Sequence, residues 1–248
     1  MTMYKVFFSA FLSLLISPSL QAMETVSFPS EDGLVITADY YPAGKAPLIV
    51  LFHQAGWSRG EYREIAPKLN ALGYACLAVD LRSGGKVNGV VNRTHERAVK
   101  MGLPTTYTDA LADMRAALQY ATGHLRHSRV IIWGSSYSSA LVFVVAANHP
   151  KKVRALLSFS PGEYFTRLGK SARYIRDHAA RVTAPVFITS AKKEKKNWLP
   201  IFNALPVNEK VQFIPQTDGQ HGSRALWEKF PEHNAYWQAV QRFLNSLK

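Results

Sequence analysis

Short, unbroken apolar runs that alternate with longer helical patterns are the feature that most constrains the fold of this chain. The runs Leu48–Phe52, Tyr74–Val79 and Val130–Trp133 show no polar alternation. Strands of this kind are buried on both faces, as in a mainly parallel sheet whose strands are joined by helical crossovers. The sequence therefore predicts an α/β fold with a doubly wound, mainly parallel sheet and helices on both faces.

The other predicted elements continue the alternation. Apolar residues at helical spacing predict a helix over Thr108–Tyr120, with Thr108 as its N-cap. The remaining helices are predicted at Tyr62–Leu72, Tyr137–Asn148 and Ala235–Leu247. The remaining strands are predicted at Leu34–Tyr41, Ala155–Phe159, Val186–Thr189 and Val211–Ile214. The segment Arg82–Tyr107 is less regular, and we interpret it either as a partly helical flap that covers the functional site or as a plain surface loop.

The first 22 residues have the pattern of a secretory signal peptide. Lys5 precedes an apolar run of 11 residues, Val6–Ile16, which Ser17 and Pro18 interrupt before the small residue Ala22. An uncleaved membrane anchor is the alternative, but a spanning helix needs roughly 20 apolar residues. We therefore expect cleavage after Ala22, export to the periplasm or beyond, and a single mature domain over residues 23–248 without stable membrane insertion.

Charge and cysteine content restrict the partners and the cofactors. The formal net charge is +13 and is spread along the chain, with a local lysine cluster at residues 192–196. We interpret it as a solvated surface, and a nucleic-acid or anionic-surface binder is the alternative. The single cysteine, Cys76, is expected to be a buried core thiol. No Walker-type loop, dinucleotide fingerprint or metal-ligand cluster occurs in the sequence, so no cofactor or metal is implied.

The candidate nucleophile lies in the segment WGSSYSS at residues 133–139, between a predicted strand and a predicted helix. A nucleophile on such a sharp turn needs small residues two positions before and two positions after it. Ser136 meets this requirement with Gly134 and Ser138. Ser135 would be flanked by a tryptophan and a tyrosine, and Ser138 would need a longer strand. The register therefore favours Ser136.

This segment resembles the nucleophile elbow of the α/β-hydrolase superfamily, G-x-S-x-G, with Ser138 in place of the last glycine. The segment HQAG at residues 53–56 resembles the His-Gly-x-Gly segment of that family, with Gln54 in place of a glycine. The segment DLRSGG at residues 80–85 resembles the D-x-R-G-x-G segment. The resemblance extends over residues 34–247 and implies the α/β-hydrolase fold, which serine esterases and dienelactone-hydrolase-like enzymes share.

The resemblance also implies which groups stabilise an oxyanion. The family uses the backbone N–H of the residue after the nucleophile, here Tyr137, and one from the His-Gly-x-Gly segment. The second donor is Gln54 or Ala55, and Ala55 matches the family position better. The imidazole of His53 is expected to be structural. Two charged residues of the DLRSGG segment are interpreted as structural and paired: Asp80 and Arg82.

The base and the acid of a catalytic triad have candidates in later loops. His221 lies between two glycines in the segment DGQHG, where the family places its histidine, and an imidazole suits proton transfer near neutral pH. Glu194 matches the family's acid position with Glu for Asp. It could instead be a solvated charge among lysines, and Glu163, after an earlier strand, is the alternative acid. The order Ser136, Glu194, His221 is the order of the family.

These residues together predict a serine hydrolase. Ser136 would attack an ester or thioester of a small-molecule substrate, with His221 as base, and form an acyl-enzyme that water then cleaves. An acyltransferase or an amidase would use the same Ser-His-Glu triad. A non-catalytic binding protein that kept the fold is the alternative from a different class.

We predict that the mature protein begins near Met23, because the apolar run and Ala22 form a cleavable leader. N-terminal sequencing of the protein from the periplasmic or extracellular fraction of its native host would test this. Finding the chain in the cytoplasm with an intact Met1 would contradict the prediction.

Overall fold

A mainly parallel sheet is the centre of the structure. The computed structural model describes residues 22–248, so the predicted signal peptide lies outside the described residues except for Ala22. In this part of the chain the strands are β1 (Glu24–Pro29), β2 (Val35–Tyr41), β3 (Leu48–Phe52), β4 (Ala75–Val79), β5 (Lys86–Val87), β6 (Val90–Val91), β7 (Val130–Ser135), β8 (Val153–Phe159), β9 (Val186–Thr189) and β10 (Lys210–Phe213). The main sheet has the order β1-β2-β4-β3-β7-β8-β9-β10. Within it, β1 with β2 and β2 with β4 pair antiparallel, and the neighbours from β4 to β10 along this order pair parallel. The short strands β5 and β6 form a separate antiparallel pair.

Helices cover both faces of this sheet. They are α1 (Ile65–Ala71), α2 (Arg93–Lys100), α3 (Ala110–Gln119), α4 (Tyr137–Asn148), α5 (Tyr174–Ala179), α6 (Lys195–Ala204) and α7 (His233–Ser246). One core contains residues of α3, α4, α5 and α6, and the other contains residues of α1 and α7. The predicted doubly wound, mainly parallel α/β fold is therefore confirmed.

The period of two along each strand explains why both faces are apolar. Successive side chains of a strand point to opposite faces. In β3, Leu48, Val50 and Phe52 belong to one core, whereas Ile49 and Leu51 belong to the other. Residues of β4 divide in the same way, so that a strand without polar alternation is buried on both sides. Cys76, in β4, is fully buried, as predicted, and burial raises the pKa of its thiol.

Some elements differ from the sequence predictions. The bounds of α4 and β9 agree with the predictions. The predicted helix Tyr62–Leu72 is shorter in the structure: α1 spans Ile65–Ala71, and a separate 3₁₀ turn, Arg59–Tyr62, precedes it. The elements β1, β5, β6, α5 and α6 were not predicted, and α2 falls in the segment that was predicted only to be partly helical. In α2 the buried residues are Thr94 and Ala98, so the helix has no apolar stripe that a periodicity argument would detect.

The irregular segment Arg82–Tyr107 contains the β5–β6 hairpin and α2, and it is tied to the sheet. The buried Asn92 side chain donates to the carbonyls of Leu81 (2.8 Å) and Trp57 (3.1 Å). The Thr37 N–H donates to the Thr94 hydroxyl (2.9 Å). Most of the segment therefore packs beside the sheet, and its last residues reach the cavity described below.

The predicted pairing of Asp80 with Arg82 is wrong. Asp80 binds Arg59, whose Nη1 lies 2.7 Å from Asp80 Oδ2. Arg82 instead contacts Asp113 through Nε (2.9 Å) and Nη2 (2.7 Å), and Asp32 through Nη1 (2.6 Å). Buried charges need partners of matching geometry. Here those partners come from distant segments, so proximity in sequence is misleading.

No helix in residues 22–248 is long and apolar enough to cross a membrane. Within the same residues, no group of three or more His, Cys, Asp or Glu side chains is arranged to hold a metal ion.

Candidate active site

The turn between β7 and α4 centres on Ser136. The strand ends at Ser135, the helix begins at Tyr137, and Ser136 adopts φ 58° and ψ −122°. A non-glycine residue with such a φ is strained, and strained positions of this kind concentrate at functional sites. The structure thus places the sharp strand-to-helix turn at the register that the sequence predicted.

Two small neighbours make this turn possible. A Cβ atom on Gly134 would lie 2.5 Å from backbone atoms of Ser138 and Ser139, so no larger residue fits there. The Ser138 hydroxyl accepts the Ser135 N–H (2.9 Å) and lies 2.8 Å from the Phe52 carbonyl oxygen. Ser138 is fully buried and joins the turn to the end of β3. This contact explains why a serine can occupy the position of the usual glycine.

His221 and Glu194 are in direct contact. His221 Nδ1 lies 2.8 Å from Glu194 Oε1. A carboxylate only accepts hydrogen bonds, so Nδ1 carries the proton and Nε2 is left as the basic nitrogen. Burial raises the pKa of Glu194, but the hydrogen bond and charge of His221 and the hydrogen bond from Ser160 outweigh burial and lower it overall. Glu194 is therefore ionised at neutral pH.

The lysines next to Glu194 do not hold it in solvent. Lys192 and Lys193 are exposed, whereas the Glu194 side chain is turned inward and half-buried. Its second oxygen, Oε2, accepts a hydrogen bond from the Ser160 hydroxyl (2.8 Å). The interpretation of Glu194 as one more solvated charge does not match this arrangement.

The alternative acid, Glu163, is bound elsewhere. Its Oε2 accepts the Ile175 N–H (2.9 Å) and its Oε1 accepts the Arg176 N–H (3.0 Å). Both oxygens therefore satisfy free backbone donors at the start of α5, where such donors lack helical partners. The structure brings Glu194, and not Glu163, to His221.

The loop after β3, residues 53–58 (the β3 loop), contains the two candidate oxyanion donors, Gln54 and Ala55. The Gln54 N–H donates to Glu61 Oε2 (2.8 Å), so it is already engaged. This contact favours Ala55 over Gln54 as the donor. The other predicted donor, Tyr137, is the first residue of α4. Its N–H is among those that a helix leaves unpaired.

His53 is a structural histidine, as predicted. It is fully buried, its Nδ1 lies 2.8 Å from the Gln54 carbonyl oxygen, and its Nε2 accepts the Leu81 N–H (2.8 Å). Burial lowers its pKa to about 4, so the ring is neutral. It fixes the start of the β3 loop against the chain that follows β4.

The loop after β10, residues 214–223 (the β10 loop), meets the other two loops at Gly222. The Ser223 N–H donates to Ser135 Oγ (2.9 Å). Gly222 has φ +70°, and a Cβ there would lie 2.6 Å from Ser135 Oγ and 2.7 Å from Gln54 Oε1. This close approach requires glycine. The β3 loop, the turn at Ser136 and the β10 loop therefore converge on one junction, next to His221.

Ser136 and His221 are each one residue away from this junction. Within residues 22–248, the hydrogen bonds do not include one between Ser136 Oγ and the His221 imidazole. Hydrogen bonds between catalytic groups are often long without substrate and tighten only in the complex. The geometry brings the Glu194–His221 pair to the edge of the sheet that carries Ser136.

Sequence reasoning missed two residues of this site. Ser160, at the end of β8, has φ 62°; its hydroxyl donates to Glu194 and accepts the Gly222 N–H (2.9 Å). The signal for it was available, because a polar residue directly follows a buried strand at the carboxyl edge of the sheet. Glu61, buried beneath the turn, had no such signal.

A cavity of about 430 Å³ lies beside the site. It is lined by Thr106, Tyr107, Tyr164, Thr166, Arg167 and Leu168. Tyr107 stacks on Tyr137, with ring centroids 4.8 Å apart, and the Tyr164 hydroxyl donates to the Ser160 carbonyl (2.6 Å). Two residues of the cavity wall thus contact the site: Tyr107 packs on the residue after Ser136, and Tyr164 binds the residue whose hydroxyl contacts Glu194.

The chain is similar in sequence to a known family and to one characterised protein. A family model described as alpha/beta hydrolase fold matches residues 47–235. The quorum-quenching protein AidA of Acinetobacter baumannii is 30% identical over 146 residues, which make up 57% of this chain and 44% of that protein. The match therefore spans less than half of AidA.

Solved structures share the fold at low sequence identity. A dienelactone hydrolase of Anabaena variabilis has a TM-score of 0.70 at 18% identity, with 91% of this chain and 97% of that chain covered. An esterase of Pyrococcus furiosus has a TM-score of 0.69 at 18% identity, with 91% and 92% covered. A monoacylglycerol lipase of Paleococcus ferrophilus has a TM-score of 0.60 at 16% identity, with 92% and 100% covered.

The steric argument for the turn predicts that Gly134→Ala lowers the free energy of unfolding by about 1–3 kcal/mol, because the added methyl group overlaps fixed backbone atoms. The control is Gly123→Ala, where a Cβ would have open space and φ is not positive. That variant should be neutral or more stable, by up to about 1 kcal/mol. Chemical denaturation compares the two, and a Gly134→Ala protein as stable as the wild type would refute the steric account.

Proposed function

The chain belongs to the alpha/beta hydrolase fold family, and we propose that it is a serine hydrolase that cleaves an ester or thioester through an acyl-enzyme on Ser136. The observation that carries this proposal is the hydrogen bond between His221 and the ionised Glu194, formed at the sheet edge where Ser136 occupies a strained turn. A nucleophile, a base and a group that orients the base are the components that covalent hydrolysis requires.

The first half-reaction forms the acyl-enzyme. Ser136 Oγ attacks the substrate carbonyl carbon while its proton moves to His221 Nε2. Glu194 holds the Nδ1 proton in place and stabilises the imidazolium that forms, without accepting that proton. His221 then returns its proton to the leaving alcohol or thiol as the bond to the carbonyl carbon breaks. In the second half-reaction, water attacks the acyl carbon and gives a proton to His221, which passes it to Ser136 Oγ as the acyl bond breaks and the acid is released.

The negative charge that develops on the carbonyl oxygen needs fixed donors. We assign them to the N–H groups of Tyr137 and Ala55, because the Gln54 N–H already binds Glu61. Each preorganised donor of this kind contributes about 10²–10³ in rate. The position of Tyr137 at the first turn of α4 adds the positive end of the helix dipole.

The substrate is proposed to be a small molecule that binds in the adjacent cavity. Its volume, about 430 Å³, lies within the range of roughly 300–1,000 Å³ typical of ligand sites. Tyr107 and Tyr164 supply aromatic walls, and Arg167 supplies a positive charge at its rim. Because the predicted signal peptide directs export, we propose that the protein meets its substrate outside the cytoplasm.

We predict that a fluorophosphonate probe labels the wild-type protein and that Ser136→Ala abolishes both labelling and hydrolysis of an activated ester, with the fold unchanged by circular dichroism. Peptide mapping locates the adduct. Normal activity in the Ser136→Ala protein, or an adduct on Ser135 or Ser138, would show that Ser136 is not the nucleophile. A folded wild type that is neither labelled nor active would favour the non-catalytic binding protein.

The acid is tested by two matched substitutions. Glu194→Gln should lower kcat by about 10²–10⁴, since the imidazole loses its orienting charge. Glu163→Gln removes the same charge from a residue that binds α5 instead, and kcat should stay near wild type. Turnover of one activated ester is compared at one pH and one salt concentration. A greater loss in Glu163→Gln would move the acid to the loop after β8.

A further inference from the structure

Glu61 is a buried carboxylate for which the proposed mechanism has no use. It lies in the 3₁₀ turn Arg59–Tyr62 behind the β3 loop, and it is fully buried. No lysine or arginine of residues 22–248 forms an ion pair with it. An unpaired buried charge is costly, and replacing it with a neutral group is often neutral or stabilising. Stability alone therefore does not account for a carboxylate at this position.

The contacts of Glu61 join the parts of the candidate site. Oε2 accepts the Gln54 N–H from the β3 loop (2.8 Å), and Oε1 accepts the Ser135 hydroxyl hydrogen from the turn (2.6 Å). The Ser135 oxygen in turn accepts the Ser223 N–H of the β10 loop (2.9 Å). One carboxylate thus holds, directly or through one hydroxyl, the three segments that carry Ala55, Ser136 and His221.

We propose that Glu61 is a positioning residue of the hydrolase: its carboxylate sets the register between the β3 loop and the turn at Ser136, so that the Ala55 N–H and the Ser136 hydroxyl act on the same carbonyl group. This inference rests on the proposed function. Glu61 touches no reacting atom in this arrangement and acts through Gln54 and Ser135.

The hydrogen-bond directions match the ionised form of Glu61. A backbone N–H and the Ser135 hydroxyl donate to its two oxygens, and a carboxylate accepts both without a hydrogen of its own. A protonated Glu61 has one hydrogen to donate, and Ser135 Oγ is the partner that can accept it. Protonation therefore reverses the hydrogen bond to the turn and leaves the Ser135 hydrogen without its acceptor.

The surroundings of Glu61 place this change near neutral pH. Burial raises the pKa of Glu61 to about 7, against the opposing effects of its hydrogen bonds with Ser135 and Gln54 and of attraction to His221. The titratable groups that face it are His221, Tyr62 and Tyr137. Burial raises the pKa of both tyrosines, so they stay neutral. Activity should therefore gain from the ionisation of Glu61 as pH rises through 7.

The test is Glu61→Gln, which keeps the shape and mimics the protonated acid. Its oxygen can still accept the Gln54 N–H, while its NH₂ group donates to Ser135 Oγ. We expect kcat to fall by about 10- to 100-fold, as for a small misplacement of reacting groups, with KM changed less than about twofold. The acid limb of the pH profile should lose one ionisation near pH 7. Above pH 7 the melting temperature should be equal or higher, because a buried charge is gone.

The control is Glu31→Gln, an exposed glutamate that pairs with Arg115, and it should leave kcat, the pH profile and the melting temperature unchanged. A Glu61→Gln protein with wild-type kcat and pH profile would overturn the proposal. So would a loss of kcat that merely follows a lower melting temperature. If this variant does not fold, Ser135→Ala removes the contact to the turn from the other side, and wild-type kcat in that variant overturns the proposal.

Fluorophosphonate labelling separates this proposal from the function on which it rests. An unlabelled and inactive wild type would refute the serine hydrolase itself. A labelled wild type with an unaffected Glu61→Gln variant would refute only the role of Glu61. Slower labelling of Ser136 in a stable Glu61→Gln protein is the result that we expect.

Discussion

Parallel hydrogen bonding between β3, β7, β8, β9 and β10 carries the carboxyl ends of these strands to one edge of the sheet. Open α/β sheets bind their ligands at this edge. Each part of the candidate site follows one of these strands: the β3 loop, the turn at Ser136, Ser160, Glu194 and His221. The strands β3, β7, β8 and β9 are buried on both faces, so side-chain packing from each side holds their carboxyl ends in place. The chemistry of the site thus depends on the packing of side chains that take no part in it.

Hydroxyl groups and one carboxylate join these loops at a single junction. Ser138 links the turn to the end of β3, Ser160 links Glu194 to the β10 loop, and Ser135 links Glu61 to Ser223. Such a network of paired buried polar groups stiffens the junction between the loops. It also explains the departure from the usual elbow. The serine at position 138 supplies a bond that a glycine cannot.

The fold was largely predictable from sequence. The strands β3, β4, β7 and β9 are buried on both faces, and their unbroken apolar runs indicate this burial without knowledge of their partners. Elements that bury few apolar residues were not predictable. Helix α2 packs through Thr94 and Ala98, and β1 is an edge strand whose side chains are mostly exposed. The mistaken pairing of Asp80 with Arg82 has a related cause. The true partners, Arg59 and Asp113, lie 21 and 31 residues away in sequence, and no local pattern connects them.

The site divides in the same way. The choice of Ser136 over Ser135 follows from sterics within five consecutive residues, so the sequence by itself determined it, as it determined the doubly wound fold and the glycine-flanked loop of His221. The choice of Glu194 over Glu163, the engagement of the Gln54 N–H and the position of Glu61 were decided only by the tertiary structure. Each depends on which groups meet through space after distant segments pack together. A carboxylate that could serve His221 or the start of α5 looks the same in sequence, and only the folded chain shows which of the two it contacts.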